Sequence, residues 1–271
     1  MDIPDESFNV RGFKKFTTPR NTDLAQYREF LYTVSVGAFN RSVVDLVEAY
    51  LWASKKYPIK AILLGDGLYK ISLCITEGLD TKEAETRAMK TGNELICYFF
   101  KELYIDDIEV IKTSELLSKF TCLFAFKRIK FLYLSDFLFR VSVEEDARLY
   151  VERQKERGTL RVSETEGFNL SIFYLLQEIA VYLLLAEQGL LADIYLGQEI
   201  PTLAKIMRGE ILAAPDALKQ RVNVGLQEKR NRQVDPQDQP DLTATISLPK
   251  IVLHPADANL TQSEPILEKA A

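Results

Sequence analysis

Apolar residues fall into blocks of two periods along this chain. Phe30-Leu-Tyr-Thr-Val-Ser-Val36 is a β-rich run, stopped by Gly37-Ala-Phe-Asn40 and followed by Val43, Val44, Leu46, Val47, Tyr50 and Leu51 at helical spacing. The pattern predicts strand, turn and helix. Ile59-Lys-Ala-Ile-Leu-Leu-Gly65 predicts a second strand, ended by Gly65-Asp-Gly67, and Leu68 to Glu77 a short helix closed by Gly78. Asp80 or Thr81 caps a further helix through Ala84, Ala88, Gly92 and Ile96 to about Leu103, and Ile108 to Ile111 forms a third strand candidate. Leu116 to Phe139 is aromatic and mixed in period, and takes no assignment. Ser142-Val-Glu-Glu145 has the form of a capping box opening a charged helix to Arg157. A long apolar helix from about Asn169 to Gln188 stops at Gly189, with Leu190 to Leu196 as another strand. Strands alternating with helices predict an α/β protein whose mainly parallel sheet is flanked by helices.

The pattern divides the chain into an irregular segment 1–26, a folded body 27–226 and, where the composition turns to Lys, Arg, Gln, Asp and Pro, a flexible tail 227–271. With 271 residues and 47% hydrophobic composition, the body has ample material for a core. The run around residue 178 is too interrupted for a membrane span, and Met1-Asp-Ile-Pro-Asp-Glu lacks the order of a secretory signal, so a cytoplasmic chain with no membrane partner is expected. The three cysteines are widely spaced among apolar neighbours, and the single histidine lies in the tail. Disulfide frameworks, metal sites and histidine triads are therefore not expected. A net charge of −5 disfavours a general nucleic-acid coat and leaves only local basic patches.

The candidate chemistry centres on Glu178, an acid inside Ile172-Phe-Tyr-Leu-Leu-Gln-Glu-Ile-Ala-Val-Tyr-Leu-Leu-Leu-Ala186. Tyr174, four residues earlier, shares its helix face. A carboxylate among leucines and isoleucines loses hydration, so it must be protonated, paired or hydrogen-bonded, and such groups gather at functional sites. The alternative is a glutamate at the edge of the apolar face that reaches water.

Three segments together resemble the tRNA-dependent cyclodipeptide synthases, whose Rossmann-like fold is similar to the catalytic domain of class I aminoacyl-tRNA synthetases. They are Val34-Ser-Val-Gly-Ala-Phe-Asn40; Gly65-Asp66 with Tyr69, Glu77-Gly-Leu-Asp80 and the helix bearing Ala84, Ala88 and Gly92; and Tyr174-Leu-Leu-Gln-Glu178 with Gly189, Pro201 and Arg208-Gly-Glu-Ile211. The resemblance implies transfer of aminoacyl groups from two aminoacyl-tRNAs to form a cyclic dipeptide, with no cofactor and no metal, by a monomer. It implies that Tyr174 and Glu178 hold the substrate amine, and that Gly37, Asn40, Asp66 and Tyr69 line the substrate site.

The chain departs from that pattern at the nucleophile. The family's serine position is Gly37, while Ser35 lies two residues earlier on the same strand face. Either Ser35 has taken over, or transfer is direct, or the protein is a noncatalytic relative that binds an aminoacyl-tRNA, an amino acid or a small peptide. The family's later tyrosine aligns with Leu196, next to Tyr195, which is the catalytic candidate if the strand places it inward. The family's arginine-rich helix is charge-balanced here, with Arg87 and Lys90 among glutamates, so Lys127, Arg128 and Lys130 join them as candidates for tRNA contact. An ordinary nucleotide-binding α/β protein is a third reading, opposed by the lack of a glycine-rich phosphate fingerprint.

Overall fold

The computed structural model describes residues 13–37, 42–103, 108–197 and 199–228. Its strands are β1 (Phe13–Thr18), β2 (Phe30–Val34), β3 (Ile59–Leu64), β4 (Glu109–Lys112), β5 (Ala192–Tyr195) and β6 (Val222–Glu228). They form one sheet in the order β1-β6-β5-β2-β3-β4, parallel throughout except that β1 runs antiparallel to β6. The helices are α1 (Val43–Ser54), α2 (Asp66–Glu77), α3 (Thr81–Leu103), α4 (Thr113–Ser118), α5 (Phe120–Ser135), α6 (Phe137–Glu156), α7 (Glu164–Glu187), α8 (Pro201–Met207) and α9 (Asp216–Lys219). This is the α/β architecture that the alternation of periods predicts.

Both sheet faces are covered, which is why β2 and β3 read as unbroken apolar runs. Successive strand residues face opposite sides. Leu31, Ala61 and Leu63 join the core beneath α5, α6 and α7, whereas Phe30, Tyr32, Val34, Ile62 and Leu64 pack with α1 and α3. The second half of helix α7 is buried nearly all round, with Leu175, Leu176, Ile179, Ala180, Leu183 and Leu185 all in the core. It is long and apolar enough to cross a membrane by length and composition, but it packs as the central helix of this core.

Four expectations are corrected. The segment 1–26 is not irregular throughout: β1 pairs with β6 from Phe13↔Glu228 to Thr18↔Asn223. Its Lys14 and Lys15 are exposed, so the pairing rests on ladder hydrogen bonds and leaves little apolar signal. The body does not end at 226, because β6 runs to Glu228; the rest of the expected tail lies outside the described residues. The charged helix starts at Phe137, where Asp136 accepts from the Phe139 amide, and Ser142 is a buried mid-helix residue bonded to Thr202. Likewise α7 starts at Glu164, capped by Ser163 accepting from the Glu166 amide, before the expected Asn169.

One polar cluster ties the sheet to α7. Asp193 on β5 lies opposite Asn223 on β6 and accepts from its amide at 2.7 Å and from the Arg221 guanidinium. Asp193 and Arg221 side chains are each only 1% exposed. The guanidinium stacks 3.7 Å from the centre of the Tyr182 ring on α7. Removing the cation strands the carboxylate in the core. Arg221→Met is therefore expected to destabilise the protein by about 3–5 kcal/mol in denaturant titration, and Asp193→Asn in the same background to recover part of the loss.

Candidate active site

Chain order reverses at β2: the path runs outward to β3 and β4 on one side, and to β5 and β6 on the other. Strand ends diverge at such a switch point and leave a crevice at their carboxyl edge. Here the crevice is a cavity of about 580 Å³, walled by the end of β2, by α2, α6 and α7, and by the segment after β5. That volume suits a small-molecule ligand.

Glu178 and Tyr174 lie together on its wall. The Glu178 carboxyl keeps some surface towards the cavity but is enclosed by protein on its other sides, and this burial pushes its pKa from 4.5 up to about 7. A hydrogen bond from Tyr174 and the field of Arg221 pull it down, and Asp193 pushes it up. Arg221 makes its direct contact with Asp193, so Glu178 feels that cation only at a distance. The Tyr174 phenol is raised by burial and by Glu178, and stays a hydrogen-bond donor. An anionic or readily ionised acceptor beside a fixed donor, facing a void, can take up a cationic nitrogen.

At the carboxyl ends of β2 and β5 the Ser35 hydroxyl lies 3.3 Å from the Tyr195 hydroxyl, and Tyr195 is near enough to Tyr174 to add to the rise of its pKa. Tyr195 therefore faces the cavity, while Leu196 is buried in the other core. Gly197 follows with φ 151°, and a Cβ there would lie 2.7 Å from the Tyr195 ring. The glycine lets the chain turn tightly under the ring.

Gly37 also lines the cavity, but a Cβ at this position would fall 2.4 Å from the edge of the Tyr69 ring. The tyrosine occupies the volume a side chain at 37 would need. Asp66 is not a cavity wall residue. Its two oxygens accept from the Gly67 amide, the Thr113 hydroxyl and the amide and hydroxyl of Ser114, so it fastens α2 to the start of α4. Asn40 lies outside the described residues.

The sequence reading missed Glu199. Its Oε1 accepts from the Ile200 amide, and its buried Oε2 has no partner among the described residues. Burial first, then Asp193, pushes its pKa up to about 8, against the pull of Arg221. Nothing in Gly197-Gln-Glu-Ile-Pro201 distinguishes this acid from an exposed loop residue; only the tertiary fold buries it. Tyr150, Arg153 and Arg157 of α6 and the turn after it also line the cavity.

Comparison with solved structures gives several likenesses. A CDPS from Fluoribacter dumoffii superposes with a TM-score of 0.64 at 19% identity, over 81% of this chain and 99% of that one. A Mycobacterium tuberculosis protein, described as demonstrating that cyclodipeptide synthetases are related to type I tRNA synthetases, superposes at 0.57 with 17% identity, over 75% and 87%. A cyclodipeptide synthase from Candidatus Glomeribacter gigasporarum, solved bound to Phe-tRNAPhe, gives 0.51 at 14% identity, over 81% and 93%. The chain has the cyclodipeptide synthase fold. No protein-family model matches the sequence, and no curated protein matches it significantly.

Within that fold the cations expected to meet tRNA are scattered. Arg87 on α3 pairs with Glu77, and Lys90 approaches Glu94 at 4.0 Å. Arg128 on α5 pairs with Glu187, while Lys127 and Lys130 stand on the exposed side of α5. No α5 residue is among those lining the cavity.

The raised Glu178 pKa carries a stability consequence. An acid whose folded pKa lies above its unfolded value binds more protons when folded, so stability falls as pH rises from about 4.5 to about 7. Glu178→Gln removes the ionisation and should leave stability at pH 4.5 nearly unchanged, while raising it at pH 8 by up to roughly 3 kcal/mol. Denaturant titrations at the two pH values measure this; equal effects at both would mean that the carboxyl ionises freely in the fold.

Proposed function

We propose that this protein is an aminoacyltransferase that joins the aminoacyl groups of two aminoacyl-tRNAs into a cyclic dipeptide. The observation carrying this reading is the desolvated Glu178 beside Tyr174 on the wall of a switch-point cavity. The fold shared with cyclodipeptide synthases, one of them bound to Phe-tRNAPhe, supports it.

Glu178 and Tyr174 hold the ammonium of the first aminoacyl group. Ser35, in contact with Tyr195, is the acceptor in place of a residue at 37, where Tyr69 leaves no room. Its oxygen attacks the aminoacyl ester carbon, and the tRNA ribose oxygen leaves with the serine proton, passed through the Tyr195 hydroxyl. Glu178 then accepts a proton from the bound ammonium. The free amine attacks the second aminoacyl ester, and its proton leaves with the second tRNA's ribose oxygen. Glu178 releases its proton to solvent, and the new terminal ammonium loses one likewise. The resulting amine closes the ring onto the first carbonyl, its proton returning to the Ser35 oxygen. Each bond made to a carbonyl carbon matches one broken to oxygen, and no redox partner is needed. For tRNA, Arg153 and Arg157 at the cavity wall are the proposed phosphate contacts beside the reacting end, with Arg87, Lys90, Lys127, Arg128 and Lys130 as the remaining candidates.

A second reading, a noncatalytic relative that holds an aminoacyl-tRNA, an amino acid or a small peptide, is favoured by the lack of a hydroxyl at position 37.

Incubation with charged total tRNA and mass spectrometry of the products separates the two. A cyclic dipeptide is expected from the wild type, none from Glu178→Gln, and at least about a 100-fold lower rate from Ser35→Ala; a wild type that yields no dipeptide leaves the binding reading. The rate should rise with pH through about 7 as Glu178 ionises. Arg153→Glu with Arg157→Glu should raise KM for aminoacyl-tRNA about tenfold and flatten its salt dependence. An unchanged KM would move the tRNA contact elsewhere.

A further inference from the structure

Helix α5 has two apolar faces. Cys122, Ala125, Ile129 and Leu132 point inward to the core. On the outer side Phe120, Phe124, Phe131 and Leu134 recur at helical spacing with Lys127 between them, and Phe137 and Leu138 extend the patch onto the first turn of α6. Phe120 is 78% exposed, Phe131 71% and Phe137 65%. Single exposed apolar residues are ordinary, but a run of aromatic and aliphatic side chains over two consecutive helices marks an interaction surface.

The charges around the patch identify the partner. Helix α5 contains no acidic residue, Lys127 and Lys130 both lie on its exposed side, and Asp136 at the junction with α6 is engaged in capping that helix through the Phe139 amide. Arg140 sits 5.8 Å from the centre of the Phe137 ring, adding a third cation at the α6 end. A helix that lies in a bilayer interface has this composition: Phe and Leu to enter the acyl boundary, and Lys and Arg to meet anionic headgroups. A second copy of the chain fits poorly, because a two-fold contact through this face would bring Lys127 and Lys130 close to their own counterparts with no acid on α5 to offset them. RNA is the nearer rival, because the exposed phenyl rings can stack on bases beside Lys127 and Lys130, which are also candidates for tRNA contact; the aliphatic Leu123, Leu134, Leu138 and 40% exposed Val141 among them favour an acyl phase over stacked bases.

We infer that the outer face of α5 and the first turn of α6 form a peripheral docking surface for an anionic lipid bilayer. This revises the expectation that the chain has no membrane partner, and it is independent of what the cavity does. The surface is separate from the cavity but joined to it by α6, whose later turns supply Asp146, Tyr150 and Arg153 to the cavity wall.

Flotation of the full chain with vesicles tests the inference, using phosphatidylcholine alone and phosphatidylcholine with a minority of phosphatidylglycerol. The wild type should partition onto the anionic vesicles and be released by high salt. Lys127→Gln with Lys130→Gln should weaken that partitioning about 25-fold, at about fivefold per lysine. Phe120→Ser, Phe131→Ser and Phe137→Ser together should weaken it by at least about 30-fold, with the melting temperature held, since all three rings are already exposed. Three results would overturn the inference: no wild-type binding to the anionic vesicles, a concentration-dependent dimer in ultracentrifugation that the triple variant abolishes, or loss of total-tRNA binding in the triple variant.

Discussion

A single buried guanidinium, that of Arg221, lies in the field of three carboxyls, and the rest of the site depends on how it is shared. Burial alone would push the arginine pKa down, but Asp193 and Glu199 more than reverse that. Asp193 takes the direct contact. Glu178 and Glu199 receive only its long-range field, which is too weak to offset their desolvation, so both pKa values are raised to near or above neutrality. The same arginine joins β6 to β5 through Asp193 and to α7 through Tyr182. Protein stability and cavity electrostatics therefore rest on one side chain, and the cavity retains acids that a cationic ligand can complete.

The Ser35–Tyr195 pair is set by backbone rather than by charge. Ser35 follows β2 and Tyr195 ends β5, which are parallel neighbours, so the switch in strand order brings the two hydroxyls together. Two residues on, the space beside the Gly37 Cα is taken by the Tyr69 ring. Glycine at 37 and tyrosine at 69 are complementary in volume, and a change at either is felt at the other.

Much of this arrangement was legible in the sequence because burial writes itself into composition. β2 and β3 are covered on both faces and read as continuous apolar runs, and Glu178 stood out as an acid within such a run. The β1–β6 pair was not legible, since an antiparallel edge pairing between distant, partly polar segments has no local signature. Glu199 and Arg221 look like surface residues in their own segments, and only tertiary contacts bury them. Asp66 read as a cavity residue because its turn was correctly placed beside the site, but backbone and hydroxyl donors from α4 claim its oxygens. The segment 116–139 resisted assignment for a physical reason: with the outward side of α5 as apolar as the inward side, no helical period emerges.

The pairing of β1 with β6 places the first described strand against the last. On the ribosome, β1 emerges early and has no neighbour until residues 222–228 appear, and Arg221 emerges just before them. During that interval Asp193 lacks its cation, so its carboxyl must stay hydrated or protonated. Synthesis of β6 thus fills the gap between β1 and β5 and brings Asp193 its cation in the same step, making completion of the sheet and of the buried ion pair one late event.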